Sequence, residues 1–194
     1  MRKKSHVLLS VYLINSLDSN MLQIHRKAFI MGSILPDCKP SFVTTKHNVE
    51  ETFDKLCIFI NNLANYSVSS KKFSTSYCRK LGEVAHYVAD YFTFPHNKVF
   101  NGTIKEHCLY EKKLKVALNE YINSDEIYIN KNIISGFKTA GELCDYIIDL
   151  HSDYLKCNNS VESDCRYIVT LCHIVVEGII HLSEENSKKH TIYI

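Results

Sequence analysis

The chain carries 194 residues, 45% hydrophobic and 23% charged, values that fit a soluble globular domain with one sizeable core. Its formal charge is only +2, so it lacks the electrostatic footprint of a protein that grips a DNA or RNA backbone, and no nucleic-acid partner is expected. Glycine (6) and proline (3) are scarce, β-type alternation is rare and helical spacing recurs, which predicts an all-α fold in one domain over residues 1–194.

Helical periodicity predicts segments at about 5–18, 22–32, 47–66, 74–94, 103–122, 139–157 and 162–184, and leaves 123–138 undecided. The first follows Arg2-Lys3-Lys4, with Ser5 placed to cap it. Ser5 to Leu17 is uncharged but shorter than the roughly 20 residues that a membrane span requires, so no transmembrane segment is expected. Basic residues before an apolar run resemble a secretory signal. The run leads, however, into Asp18-Ser19-Asn20 rather than into a small-residue cleavage site. A cytoplasmic location is the expectation, and secretion with an unusual signal the alternative; cleavage would remove His6. The eight cysteines point towards a reducing compartment. Their spacing is irregular, no Cys-x-x-Cys pair occurs, and several, such as Cys172, sit in apolar helical stretches as buried thiols do.

The second segment contains His25, read as a supporting or structural residue, and leads to a loop marked by Pro36 and Pro40. The densest chemistry lies in the fourth. At 100° per residue Leu81, Val84, Ala85, Val88 and Phe92 share one apolar face, while His86 and Asp90, four apart, stack on a second. Gly82, one turn earlier on that second face, leaves open space beside the backbone. Pro95 ends the helix and His96 follows. In the fifth segment, capped by Thr103 after Asn101-Gly102, His107 and Glu111 interrupt an apolar seam of Ile104, Leu114 and Leu118. A buried carboxylate without a partner is costly, and a divalent cation suits a histidine-plus-carboxylate set. One such pair is commonly a surface ion pair. Two pairs on adjacent helices, with His96 between them, favour a metal. Leu171, Val175, Ile179 and Leu182 make the last segment packing material. His173 and His181 within it are read as structural, like His151 and His190 near helix or chain ends.

His86-x-x-x-Asp90-x5-His96, followed by His107-x-x-x-Glu111, resembles the ligand pattern of the zinc-dependent phospholipase C family, in its bacterial phosphatidylcholine-preferring type. Gly32-Ser33-Ile34-Leu35-Pro36-Asp37, with His47 ten residues on, is similar to that family's Asp-loop-His element. Ser5-His6-Val7-Leu8-Leu9 resembles its first ligand-bearing helix. The matches run in family order from residue 5 to about 114, more than half the chain.

The resemblance implies a single-domain all-α bundle shared with three-zinc nucleases, acting on phospholipids at a membrane surface to release diacylglycerol and a phosphorylated head group. Carried over residue by residue, His47, His86 and Asp90 hold one zinc, and His96, His107 and Glu111 a second. His6, with Asp90 bridging, belongs to a third. Asp37 touches the cluster or its water and is the candidate catalytic base. Family members bind the third zinc through the amine and carbonyl of an N-terminal tryptophan. This chain has no tryptophan, and Arg2, Lys3 and Lys4 would bring positive charge towards a cationic cluster. Two zinc ions held tightly, with the third site weak or empty, are therefore the expectation. A single-strand nuclease, a non-catalytic zinc-binding homologue and an unspecialised helical bundle are the alternatives. Glu111, where those nucleases carry Asp, favours the lipase. Head-group preference and oligomeric state are not legible.

Overall fold

A computed structural model describes residues 1–38, 46–66, 74–157 and 160–192, with side chains as far as Lys189. Among these residues there is no strand. The helices are α1 (Lys3–Ser16), α2 (Asn20–Ile24), α3 (Arg26–Ile34), α4 (Val49–Ala64), α5 (Thr75–Tyr91), α6 (Ile104–Ile122), α7 (Lys131–Gly136), α8 (Ala140–Lys156) and α9 (Val161–Ile192). Single 3-10 turns lie at Pro36–Cys38 and Phe94–His96.

The all-α expectation holds, with local corrections. Helix α1 starts two residues early, because the Ser5 and His6 amides both donate to the Arg2 carbonyl; Ser5 is thus a buried first-turn residue, not the cap. The predicted 22–32 helix is two helices. His25 stands between them at φ −102°, ψ 25°, outside the helical region, and interrupts the ladder. Asn48 caps α4 by accepting from the Glu51 amide. Thr103 and Glu106 form a full capping box at α6. Helix α7 occupies part of the undecided stretch. Pro40 and the side chain of His190 lie outside the described residues.

Helix α5 runs through the middle of the bundle. From Leu81 to Phe92 every side chain is buried, the polar ones included, because α3, α4 and α9 pack around it. Each buried Leu, Val or Phe there contributes about 1.5–3 kcal/mol relative to exposure. Val161–Lys189 of α9 is long and apolar enough to cross a membrane, but 72% of its most apolar window is covered by the fold's own helices.

Helices α3 and α5 approach each other through two glycines. A Cβ on Gly82 would run into the Phe29 carbonyl oxygen, and one on Gly32 into that of Arg79. The open space read from sequence beside Gly82 is filled by the backbone of α3. Only glycine permits so close a contact, and it sets the position of Ser33 against α5.

Candidate metal centre

His86 projects from the middle of α5 towards α3. Its Nδ1 lies 2.8 Å from the Ser33 carbonyl oxygen, which can only accept, so Nδ1 carries the proton and Nε2 presents a lone pair to the other side. Three further donors gather around that lone pair. His47 Nδ1 is 2.9 Å away, Asp90 Oδ2 3.2 Å and Asp37 Oδ1 3.7 Å. His47 Nδ1 is itself 3.2 Å from Asp90 Oδ2 and 3.7 Å from Asp37 Oδ1. Bonds of about 2.0–2.2 Å to a tetrahedral zinc place its donors roughly 3.3–3.6 Å apart. The observed spacings straddle that range, so the four residues fit a divalent cation. Asp37 is the outermost of the four, 3.7 Å from both histidine nitrogens against 3.2 Å for Asp90.

The second group stands one helical turn of 3-10 geometry and one helix away. Pro95 fixes the turn that delivers His96, and His107 and Glu111 share a flank of α6. Glu111 Oε1 is 3.3 Å from both His96 Nε2 and His107 Nε2. Both groups keep their donor atoms within 4.8 Å of one another.

Asp90 joins the groups. Its Oδ2 faces His47 and His86, while Oδ1 lies 3.3 Å from His6 Nε2 and 2.6 Å from the Met1 amine. That amine is also 2.6 Å from His96 Nε2 and 3.3 Å from Glu111 Oε1. The amine at the start of the chain thus stands among the donors despite the basic residues that follow it. Lys4 is exposed away from the cavity, whereas Arg2 and Lys3 line it, Arg2 3.9 Å from the other oxygen of Glu111.

The electrostatics favour cations. Burial opposes ionisation of Asp90, but His96, the Met1 amine and His86 outweigh it and hold the carboxyl well below its usual range. Burial likewise opposes the charged Met1 amine, and Asp90 and Glu111 keep it protonated above its ordinary value. Burial, with His86 adding to it, pushes His6 down to about 3, so its ring is neutral. Neither of its ring nitrogens makes a well-formed hydrogen bond among the described residues, although the side chain is 1% exposed. A buried neutral imidazole beside a shared carboxylate fits the donor chemistry of a divalent cation.

Both groups open on one cavity of about 920 Å³, bounded also by Phe100, Ile104, Asn48 and Lys98. Ile104 is 85% exposed at its mouth, not part of the buried seam, which Leu114 and Leu118 supply.

The histidines read as structural stay outside the centre. His151 is more buried than its polar neighbours suggested. It lies 2.8 Å from the side-chain oxygen of Asn97, whose amide group donates to the Tyr91 and Thr93 carbonyls and so braces the His96 turn. His173 pairs with Glu177 at 3.0 Å, and His25 meets the Thr75 hydroxyl at 3.3 Å. His181 lines a separate cavity of about 780 Å³ with His25. Sequence reasoning missed Asp164. It accepts from the Phe94 amide and from the Tyr110 and Tyr154 hydroxyls at 2.7–2.9 Å, tying the His96 turn to α9. Asp164 sits in the polar first turn of α9 with Glu162 and Arg166 nearby, where an acidic residue is ordinary, so the sequence carried no signal for it.

Among protein families, the model described as zinc dependent phospholipase C matches residues 5–161. No curated protein and no solved structure matches the chain significantly.

Proposed function

This chain belongs to the zinc-dependent phospholipase C family, and we propose that it hydrolyses the phosphodiester of phospholipids, releasing diacylglycerol and a phosphorylated head group. The observation that carries the reading is the pair of donor groups bridged by Asp90 on one cavity large enough for a head group. Asp37, His47, His86 and Asp90 would hold one zinc, and His96, His107 and Glu111 another. His6 and the Met1 amine lie where a third would share Asp90. Bound zinc supplies Lewis acidity to the phosphate oxygens and a water whose pKa falls to about 7.

The chain's own residues do the rest. The Ser33 carbonyl fixes the His86 tautomer, so that the Nε2 lone pair faces the other donors. Asp37 is half-buried at the cavity wall, and burial raises its carboxyl above the ordinary value against the pull of His86. A carboxylate so placed orients an attacking water and takes its proton at Oδ1 or Oδ2. Phe100 and Ile104 give the cavity apolar lining beside the donor groups.

Side-by-side assays with zinc supplied test the reading on a short-chain phosphatidylcholine and on single-stranded DNA. Head-group release from the lipid alone is expected. DNA cleavage at a comparable rate would replace the lipase with a nuclease, and silence on both with metal retained would point to a non-catalytic homologue. Asp37→Asn should lower lipid turnover at least about a hundredfold while most of the metal stays.

A further inference from the structure

The net charge of +2 hides an uneven distribution. At 100° per residue Ile104, Cys108, Lys112, Lys105, Lys115 and Val116 share an arc of about 120° on α6, and all six are exposed. The opposite arc carries Leu114 and Leu118 into the core. This exposed arc begins at the cavity, which Ile104 and Cys108 line, and runs down the helix to Lys115. There it meets the start of α1. Lys4 and Leu8 share a shallow groove with Lys115 and Val116, and the Arg2 guanidinium donates to the Cys108 carbonyl at 3.4 Å.

Some surface lysines elsewhere are paired, while others, such as Lys27, Lys131 and Lys138, are exposed without an ion pair among the described residues. Lys98 pairs with Glu50, Lys156 with Asp153 and Lys188 with Glu185. Among the described residues Lys3, Lys4, Lys105, Lys112 and Lys115 make no ion pair. Of the nearby carboxylates, Glu106 is engaged in the α6 capping box, Glu111 faces the metal centre, and Glu120 lies at the far end of the groove. Unpaired cations interleaved with Ile104 (85% exposed) and Val116 (54%) form a face that is basic and apolar at once. That combination fits the headgroup layer of an anionic bilayer, which attracts the lysines and accepts the aliphatic tips.

We propose that this face, the outer arc of α6 continued by the start of α1, docks on anionic lipid bilayers and brings the mouth of the cavity against them. It deepens the lipase reading and rests on it for its purpose. The test is separate, because it reads binding and not turnover.

The zinc-loaded full chain is sedimented with vesicles of phosphatidylcholine alone or mixed with phosphatidylglycerol. Binding is expected to the mixed vesicles only and to weaken as salt is raised, since screening shortens the reach of each charge. The variant Lys105→Gln/Lys112→Gln/Lys115→Gln should bind them on the order of a hundredfold less, at about fivefold per lysine. Its zinc content and melting temperature should match the parent, which separates lost docking from lost folding. Equal binding to uncharged vesicles, unchanged binding by the variant, or equal affinity for a single-stranded oligonucleotide would each overturn the proposal. A chain that turns over no lipid yet binds mixed vesicles through these lysines would overturn only the lipase reading.

Discussion

Asp37, His47, His86 and Asp90 lie at the floor of the cavity, three of them buried, with His86 pinned by a carbonyl that a glycine contact brings into place. His96, His107 and Glu111 stand on its wall, and His107 is 33% exposed. The donor chemistry is the same, but the surroundings differ. His86 and Asp90 are fully buried and lack water as an alternative partner, so loss of a metal there should cost fold stability. Wall donors can be hydrated, so in them metal binding can change with little effect on the fold. A site of this kind joins a rigid anchor to an adaptable flank.

Removing metal should break the floor first. Chelation is expected to lower the melting temperature by on the order of 10 °C, from roughly 4 kcal/mol of linkage at a thousandfold excess over the dissociation constant. His86→Ala should reproduce a large part of that loss, with metal content falling. An unchanged melting temperature in chelator would show that the floor donors do not share an ion.

The tie that holds the wall is also testable. Burial pushes the Asp164 carboxyl up to about 6 from 3.8, against the pull of its three donors. A carboxyl that binds its proton more tightly in the fold contributes stability below its ordinary value and loses it as pH rises through about 6. At about 1.4 kcal/mol per unit, the stability of the parent relative to Asp164→Asn should fall by up to about 3 kcal/mol across that window. A flat difference in denaturant unfolding over the same pH range would rule this titration out.

Gly82→Ala should cost about 2 kcal/mol, because the backbone of α3 must retreat from the added methyl. It should also loosen metal on the floor while leaving the wall intact. Gly178→Ala, whose Cβ meets only side chains at 3.5 Å or more, is the control and should be neutral or slightly stabilising. Equal effects at the two positions would show that close α3–α5 approach does not matter. The smallest effect is expected for His107→Ala, under about 1 kcal/mol in stability with a selective loss of the wall metal by elemental analysis. A loss equal to that of His86→Ala would erase the distinction between floor and wall.

Much of this was legible in the chain. The periodicity around Leu81, Val84 and Val88 located α5, and i, i+4 spacing put His86 above Asp90 and His107 above Glu111, because helix geometry is local. Helix ends were less legible. The break at His25 has no proline or glycine to announce it, and α1 begins at Lys3 because of where Met1 goes. Ile104 fits the α6 seam by angle, yet it lies at the end of the helix, beyond the helices that would cover it.

By itself the sequence determined the helical class and the pairing of His86 with Asp90 and of His107 with Glu111 along their helices, since these follow from a fixed residue spacing. Only the tertiary structure decided which side chains meet: that Asp90 turns one oxygen to each group, that Asp37 comes beside His47 and His86, that the Met1 amine reaches 2.6 Å from Asp90, and that Ser33 sets the His86 proton. Those contacts span up to 89 positions of chain. They depend on how closely α3 and α5 pack and on which way the first turn of α1 faces, and neither is encoded in a local spacing.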